Sequence, residues 1–163
     1  MKKKEMEAHL KRTDIKIEES TATWELAVNG DIAGLYAGQF KFKCYLTPTE
    51  ILAAGRLYRE LLGPNGMLAS KHEDTLAFSL SQLKYRVISA PPFWTSALGL
   101  DGSSGDIPDA NVLDAILDAA LASQFKYLAL LKKKKEESIQ RAKKAAEKML
   151  SEQPDDNEDE DDE

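Results

Sequence analysis

Thr47-Pro48-Thr49-Glu50 divides the chain into a β part and a helical part. A threonine can cap a helix, proline fits the first helical turn, and a glutamate three residues after the cap can bond back to the cap amide. The stretch therefore predicts that a helix begins here. Residues before it alternate with a period of two, and residues after it recur every three or four positions.

Two runs of alternating residues, 23–28 and 39–46, precede this helix start. In each run one side carries mainly large apolar side chains, which is typical of a strand with one buried face. Asn29-Gly30-Asp31 favours a turn between the runs, because asparagine and glycine tolerate positive φ. The sequence predicts a small antiparallel β element near residues 23–46.

Two helices are predicted next. Apolar side chains recur at spacings of three and four through residues 51–62, and Gly63-Pro64 ends this helix. A second helix is predicted over about residues 67–89, ended by Ala90-Pro91-Pro92. Its apolar face consists of Leu76, Leu80, Leu83 and Val87.

A third, long helix is predicted to begin between Asp106 and Asp109 and to continue to Gln153. About forty helical residues span on the order of 60 Å, which is more than a small core covers. The first half is apolar over a wide arc and is expected to pack into the body. The second half keeps a stripe of two heptads, too short to dimerise stably by itself. The stripe consists of Ile139, Ala142, Ala146 and Met149.

The predicted fold class is α+β and mainly α, with a small antiparallel β element followed by two helices and a long C-terminal helix. A chain of 163 residues holds one domain with extensions. We divide it into a mobile charged arm (1–20), a globular α+β body (21–131), a projecting basic helix (132–153) and a disordered acidic tail (154–163).

Charge is distributed unevenly. The formal net charge is −6, yet nine acidic residues lie from Glu152 onward, so the remainder is net positive. A basic run begins at Lys132-Lys133-Lys134-Lys135 and extends to Lys148. Such a run can neutralise nucleic-acid phosphates, but Glu136 and Glu137 dilute it and no aromatic residues are interleaved. A solvated helix surface is the commoner interpretation, so we do not expect nucleic acid as a partner.

Two parts of the sequence are candidates for partner binding. Phe93 and Trp94 lie on an irregular segment after Pro91-Pro92, where partner-anchoring rings would sit. The alternative is that the two rings fill the core beneath a loop. The candidates on the basic helix are Lys132, Lys133, Lys134, Lys135, Ile139 and Met149. We expect proteins as partners, and self-association into a homo-oligomer stays open.

No catalytic, cofactor or metal-ligand constellation is recognisable in the sequence. His72-Glu73-Asp74 are adjacent helix positions that point in different directions. Residues 101–106 are rich in glycine but lack the Gly-Lys-Ser/Thr of a phosphate-binding loop, which indicates a linker. Cys44 is the single cysteine, so it excludes an intramolecular disulfide and fits a buried apolar position. We therefore expect no enzyme activity, no cofactor and no metal.

The sequence predicts a cytosolic protein without membrane contact. Lys2-Lys3-Lys4 is followed by charged residues instead of the apolar stretch of a signal peptide. No apolar run approaches the roughly 18 residues that a membrane span needs. A lone cysteine also fits a reducing compartment.

Five short motifs in this order resemble a known class of proteins. They are Gly38-Gln39-Phe40-Lys41-Phe42-Lys43, Leu46-Thr47-Pro48-Thr49-Glu50, Arg59-Glu60-Leu61-Leu62-Gly63, Pro92-Phe93-Trp94 and Asn111-Val112. With the Lys/Glu-rich end of the long helix, they resemble small assembly proteins of tailed bacteriophages, of the tail-assembly chaperone type. The resemblance covers about residues 21–150.

The resemblance implies a non-enzymatic protein in the cytoplasm of the infected bacterial host. Such a protein binds the helical tape-measure protein and recruits tail-tube subunits. Proteins of this type are often also made in a frameshift-extended form, and the A-rich codons of Lys132-Lys133-Lys134-Lys135 are a place where a ribosome can slip. Two alternatives stay open: a permanent structural protein of the virion, or a nucleic-acid-binding accessory protein with an autoinhibitory acidic tail.

Overall fold

The computed structural model describes residues 3–97 and 107–151. Its fold is α+β and mainly α, as predicted. The elements in chain order are α1 (Lys3–Lys11), β1 (Ile15–Glu18), β2 (Thr21–Asn29), β3 (Leu35–Lys43), α2 (Pro48–Leu62), a 3₁₀ turn (Gly66–Leu68), α3 (Lys71–Arg86), β4 (Val87–Ser89), α4 (Pro92–Ala97) and α5 (Ala110–Ser151).

The four strands form one antiparallel sheet in the order β1-β2-β3-β4. Strands β2 and β3 pair along their whole length, with Trp24 opposite Phe40 and Ala22 opposite Phe42. These four side chains are buried on one face of the sheet, which confirms the predicted alternation at Trp24, Phe40 and Phe42. Strand β3 ends at Lys43, before the predicted end at residue 46. The first half of α5 packs in the same cluster through residues such as Ile116.

The predicted helix start at Thr47 is confirmed. The Thr47 hydroxyl accepts a 3.3 Å hydrogen bond from the amide of Glu50, and the Glu50 carboxylate accepts a 2.9 Å bond from the amide of Thr47. Lys43 at the end of β3 forms an ion pair with Glu50. This cap therefore fixes the direction in which the chain leaves the sheet.

The N-terminal residues do not form a separate arm, which corrects the boundary predicted at residue 20. Strand β1 pairs with β2, and Ile15 is only 3% exposed. The Lys126 ammonium donates hydrogen bonds to the carbonyl oxygens of Arg12 and Ile15, and Arg12 pairs with Asp118 at 2.8 Å. A strand of four residues offers too few alternations to be recognised among charged neighbours.

The second helix is shorter than predicted. Helix α3 begins at Lys71, where the Ser70 hydroxyl caps it, and ends at Arg86. Val87, which the sequence placed on the helix face, instead lies in β4 opposite Phe42. The edge of β3 offers backbone partners here, and β-branched residues suit a strand.

The described residues up to Leu128 form one compact unit and those from Ala129 onward form a second; the sequence predicted a boundary between residues 131 and 132. In the second unit, residues 129–151 belong to α5 and are exposed. The predicted linker at 101–106 and the predicted disordered tail at 154–163 lie outside the described residues.

Candidate partner-binding surfaces

Phe93 and Trp94 lie in the core, which overturns their predicted role as partner anchors. Trp94 is 3% exposed and meets Phe40 edge-on, with 5.5 Å between the ring centroids. Phe93 is half-buried and packs edge-on against Tyr36 at 5.1 Å. Large rings contribute most where they are fully packed, so these two residues complete the apolar face of the sheet.

Asp109 is a buried carboxylate that holds the loop between β2 and β3 against the start of α5. It accepts hydrogen bonds from the amides of Ile32 (2.5 Å) and Ala33 (3.0 Å) and from the Tyr36 hydroxyl (2.8 Å). Burial alone would raise the pKa of Asp109, but these hydrogen bonds outweigh it, so the pKa lies below its ordinary value. The carboxylate is engaged in structure and is not presented to a ligand.

Other reactive groups suggested by the sequence are either buried or hydrogen-bonded within the protein. Cys44 is fully buried, and burial raises the pKa of its thiol to about 11, which leaves it protonated and weakly nucleophilic at neutral pH. Within His72-Glu73-Asp74, Glu73 bonds the Ser70 amide and Asp74 accepts from the Tyr58 hydroxyl. In residues 3–97 and 107–151, no group of three or more His, Cys, Asp or Glu residues is placed to hold a metal ion.

A groove that the sequence did not predict lies between α2 and α3. Its volume is about 540 Å³. It is lined by Leu61, Leu62, Asn65, Leu68, Ala69, Glu73, Leu76, Ala77 and Leu80. Helix α2 buries only Ala54, so its predicted apolar stripe is covered at the middle and open at both ends.

The tip of this helix pair exposes two apolar side chains. Met67 and Leu68 lie in the 3₁₀ turn and are 101% and 85% exposed. Leu61 at the end of α2 is 47% exposed beside them. An apolar pair directly after the helix stop Gly63-Pro64 is the sequence signal that could have identified this surface. We name the groove, which Leu61 and Leu68 line, together with the exposed neighbour Met67, the hairpin groove.

The predicted basic residues all lie on exposed helix. Lys132 and Lys133 are each 4.0 Å from a glutamate one turn later, Glu136 and Glu137. Lys134 and Lys135 are likewise exposed. Exposed pairs at this spacing stabilise a helix slightly, so half of the lysine run is balanced within its own helix.

The predicted apolar residues of the same helix are exposed as well. Ile139 is 47% exposed and Met149 is 74% exposed. Unlike Phe93 and Trp94, these two side chains are therefore accessible to a partner.

No helix among the described residues is both long and apolar enough to cross a membrane. No family model, no curated protein and no solved structure matches this chain.

Proposed function

We propose that this protein is a non-enzymatic assembly chaperone that holds an amphipathic helix of a larger protein in the hairpin groove. Following the resemblance to tail-assembly chaperones, that larger protein is the tape-measure protein of a tailed phage, and tail-tube subunits are recruited to the complex in the cytoplasm of the infected host. The observation that carries the proposal is the exposure of Leu68, which lines the groove, and of its neighbour Met67.

The groove suits a helix because an amphipathic helix presents apolar side chains at spacings of three and four along one face. Leucines from both α2 and α3 line the groove. Met67, the exposed neighbour of the lining residue Leu68, offers a flexible side chain that adapts to varied partners. Burying a side chain such as Met67 or Leu68 is worth about 1.5–3 kcal/mol. Two such side chains give a transient complex a substantial part of its affinity.

A small-molecule ligand fits this groove less well. Pockets for small ligands combine apolar walls with a few convergent polar groups that fix orientation. The polar lining residues here are Asn65 and Glu73, and the Glu73 carboxylate already accepts a 2.7 Å hydrogen bond from the Ser70 amide. An apolar helix face needs no such groups.

The test is capture of partners from infected cells with the tagged protein and with the double variant Met67→Asp, Leu68→Asp. A carboxylate in the groove wall at position 68 and one next to it at position 67 would have to be desolvated on binding, so the variant is expected to lose the tape-measure protein and tube subunits. Leu35→Asp is the matched control, since Leu35 is 66% exposed on β3. Equal capture by all three proteins would refute binding in the hairpin groove.

Mass spectrometry of purified particles separates the chaperone from a structural protein. A chaperone is expected in the captured complex and absent from mature particles. Abundant presence in the particles would instead establish the alternative of a permanent virion component.

A further inference from the structure

The second unit carries an apolar stripe that the proposed function does not use. We define the α5 stripe as Leu131, Ile139, Ala142, Ala146 and Met149, which recur at multiples of three and four and so share one face of the helix. Leu131 is 43%, Ile139 47% and Met149 74% exposed. Large apolar side chains in a row on an exposed helix indicate a contact surface.

A lysine interrupts this stripe. Lys135 stands four residues after Leu131 and four before Ile139, so it lies within the apolar face. Its neighbours one turn away are Leu131, Lys132, Ser138 and Ile139, and none of them is acidic. Lys132, by contrast, has Glu136 at 4.0 Å. The α5 stripe therefore presents a positive charge that its own helix does not balance.

The charge around the α5 stripe is also mainly positive. From Lys132 to Lys144 the helix carries seven basic residues and two acidic ones. A helix that packs on this stripe must bring apolar side chains to Ile139 and Met149 and negative charge to Lys135. Complementary charges beside an apolar seam are what select partners between helices.

We propose that the α5 stripe binds an acidic amphipathic helix of a partner protein, at a site separate from the hairpin groove. This inference specifies the chemistry of a second partner, which the proposed function does not specify.

A partner of the α5 stripe must supply both apolar side chains and negative charge. Other occupants supply only one of the two. Two copies paired in parallel would set Lys132 and Lys135 against their own counterparts, and in either direction two basic segments would meet over a two-heptad seam. The chain's own residues 152–163 supply negative charge, but Pro154 is their only apolar residue, so they cannot cover Ile139 and Met149. Phosphates of a nucleic acid gain nothing from an apolar stripe.

The test measures binding of the full-length protein to a labelled synthetic peptide by fluorescence anisotropy. The peptide has about 20 residues, enough to form a helix when bound, with leucine at the seam positions and glutamate beside them. A matched peptide carries lysine in place of glutamate, and a single-stranded RNA of similar charge is the third probe. The acidic peptide is expected to bind at least about tenfold more tightly than the lysine peptide or the RNA. Its binding is expected to weaken as salt is added.

Neighbouring lysines provide the matched control. Lys135→Glu is expected to weaken the acidic peptide about tenfold and to favour the lysine peptide, because it reverses the charge within the stripe. Lys134→Glu makes the same change about 100° around the helix and should have little effect. Ile139→Asp should weaken both peptides.

Three results would overturn the proposal. Equal effects of Lys134→Glu and Lys135→Glu would mean unspecific attraction, and tighter binding of the RNA would assign the surface to nucleic acid. Sedimentation showing a dimer that Ile139→Asp dissociates would assign it to a second copy. The hairpin variant Met67→Asp, Leu68→Asp should bind the acidic peptide normally, so failure of this proposal is separable from failure of the proposed function.

Discussion

The hydroxyl of Tyr36 donates a 2.8 Å hydrogen bond to the carboxylate of Asp109, across 73 positions of sequence. Together with the amides of Ile32 and Ala33, it closes the loop between β2 and β3 onto the start of α5. The closure leaves no room at Gly30, where a Cβ would overlap the Asp109 carboxylate and stand 2.7 Å from the Tyr36 ring.

Gly30→Ala is expected to destabilise the protein by about 1–3 kcal/mol, because the added methyl forces the loop and the carboxylate apart. Gly55→Ala is the matched control. Gly55 lies within α2, where a Cβ would meet only the Arg59 side chain at 3.7 Å. That variant should gain about 0.5–1 kcal/mol from helix propensity. Urea unfolding measures both, and equal stability of the two variants would contradict the proposed crowding at Gly30.

Trp94→Ala is expected to lower stability by about 3–5 kcal/mol, the range for removing a buried large ring. The half-exposed Phe78 on α3 gives the control, since Phe78→Ala removes a ring that is 44% exposed and should cost only about 1 kcal/mol. Thermal unfolding followed by circular dichroism distinguishes them. If Trp94→Ala were as stable as Phe78→Ala, the ring would not be part of the core.

The Asp14 carboxylate predicts a pH dependence of stability. Hydrogen bonds from Arg12 lower its pKa to about 2, with a further contribution from the Trp24 indole at 2.8 Å, against the opposing effect of burial. Because the ordinary value is 3.8, ionised Asp14 stabilises the fold above about pH 4 and this contribution is lost as pH falls toward 2. The pair is partly exposed, so the effect is about 1 kcal/mol or less.

Asp14→Asn isolates this contribution from the other carboxyl groups. Its melting temperature should lie below that of the unchanged protein at pH 7, and the difference should narrow near pH 2. A difference that is the same at both pH values would show that ionisation of Asp14 is not its source.

Cys44 predicts slow chemical labelling. The side chain is fully buried and its pKa is raised by burial to about 11 from 9.0. Iodoacetamide should therefore label it only through opening of the fold, and rapidly in urea. The difference between the folded and unfolded pKa of Cys44 also predicts that stability falls as pH rises from about 9 to about 11, because only the unfolded thiol ionises there. Rapid labelling without urea, at neutral pH, would contradict this burial.

Local signals in the sequence were reliable where neighbouring residues decide the outcome. The capping box at Thr47 and the stop at Gly63 depend on atoms within one helical turn. The alternation in β2 and β3 is similarly readable, because nine-residue strands repeat their pattern often enough. The narrow apolar stripe in the second half of the long helix also indicated that Ile139 and Met149 would not be buried in the body.

The sequence by itself determined the α+β class, the helix start at Thr47, the two long strands and the basic end of α5. The tertiary structure alone decided that β1 joins the sheet, that Val87 leaves α3 for β4, that Trp94 is buried and that the hairpin groove stays open. The contact between Lys126 and Ile15 spans 111 positions. Such contacts form only when the whole chain folds. The sequence of a short charged or apolar segment does not indicate which distant residues will cover it.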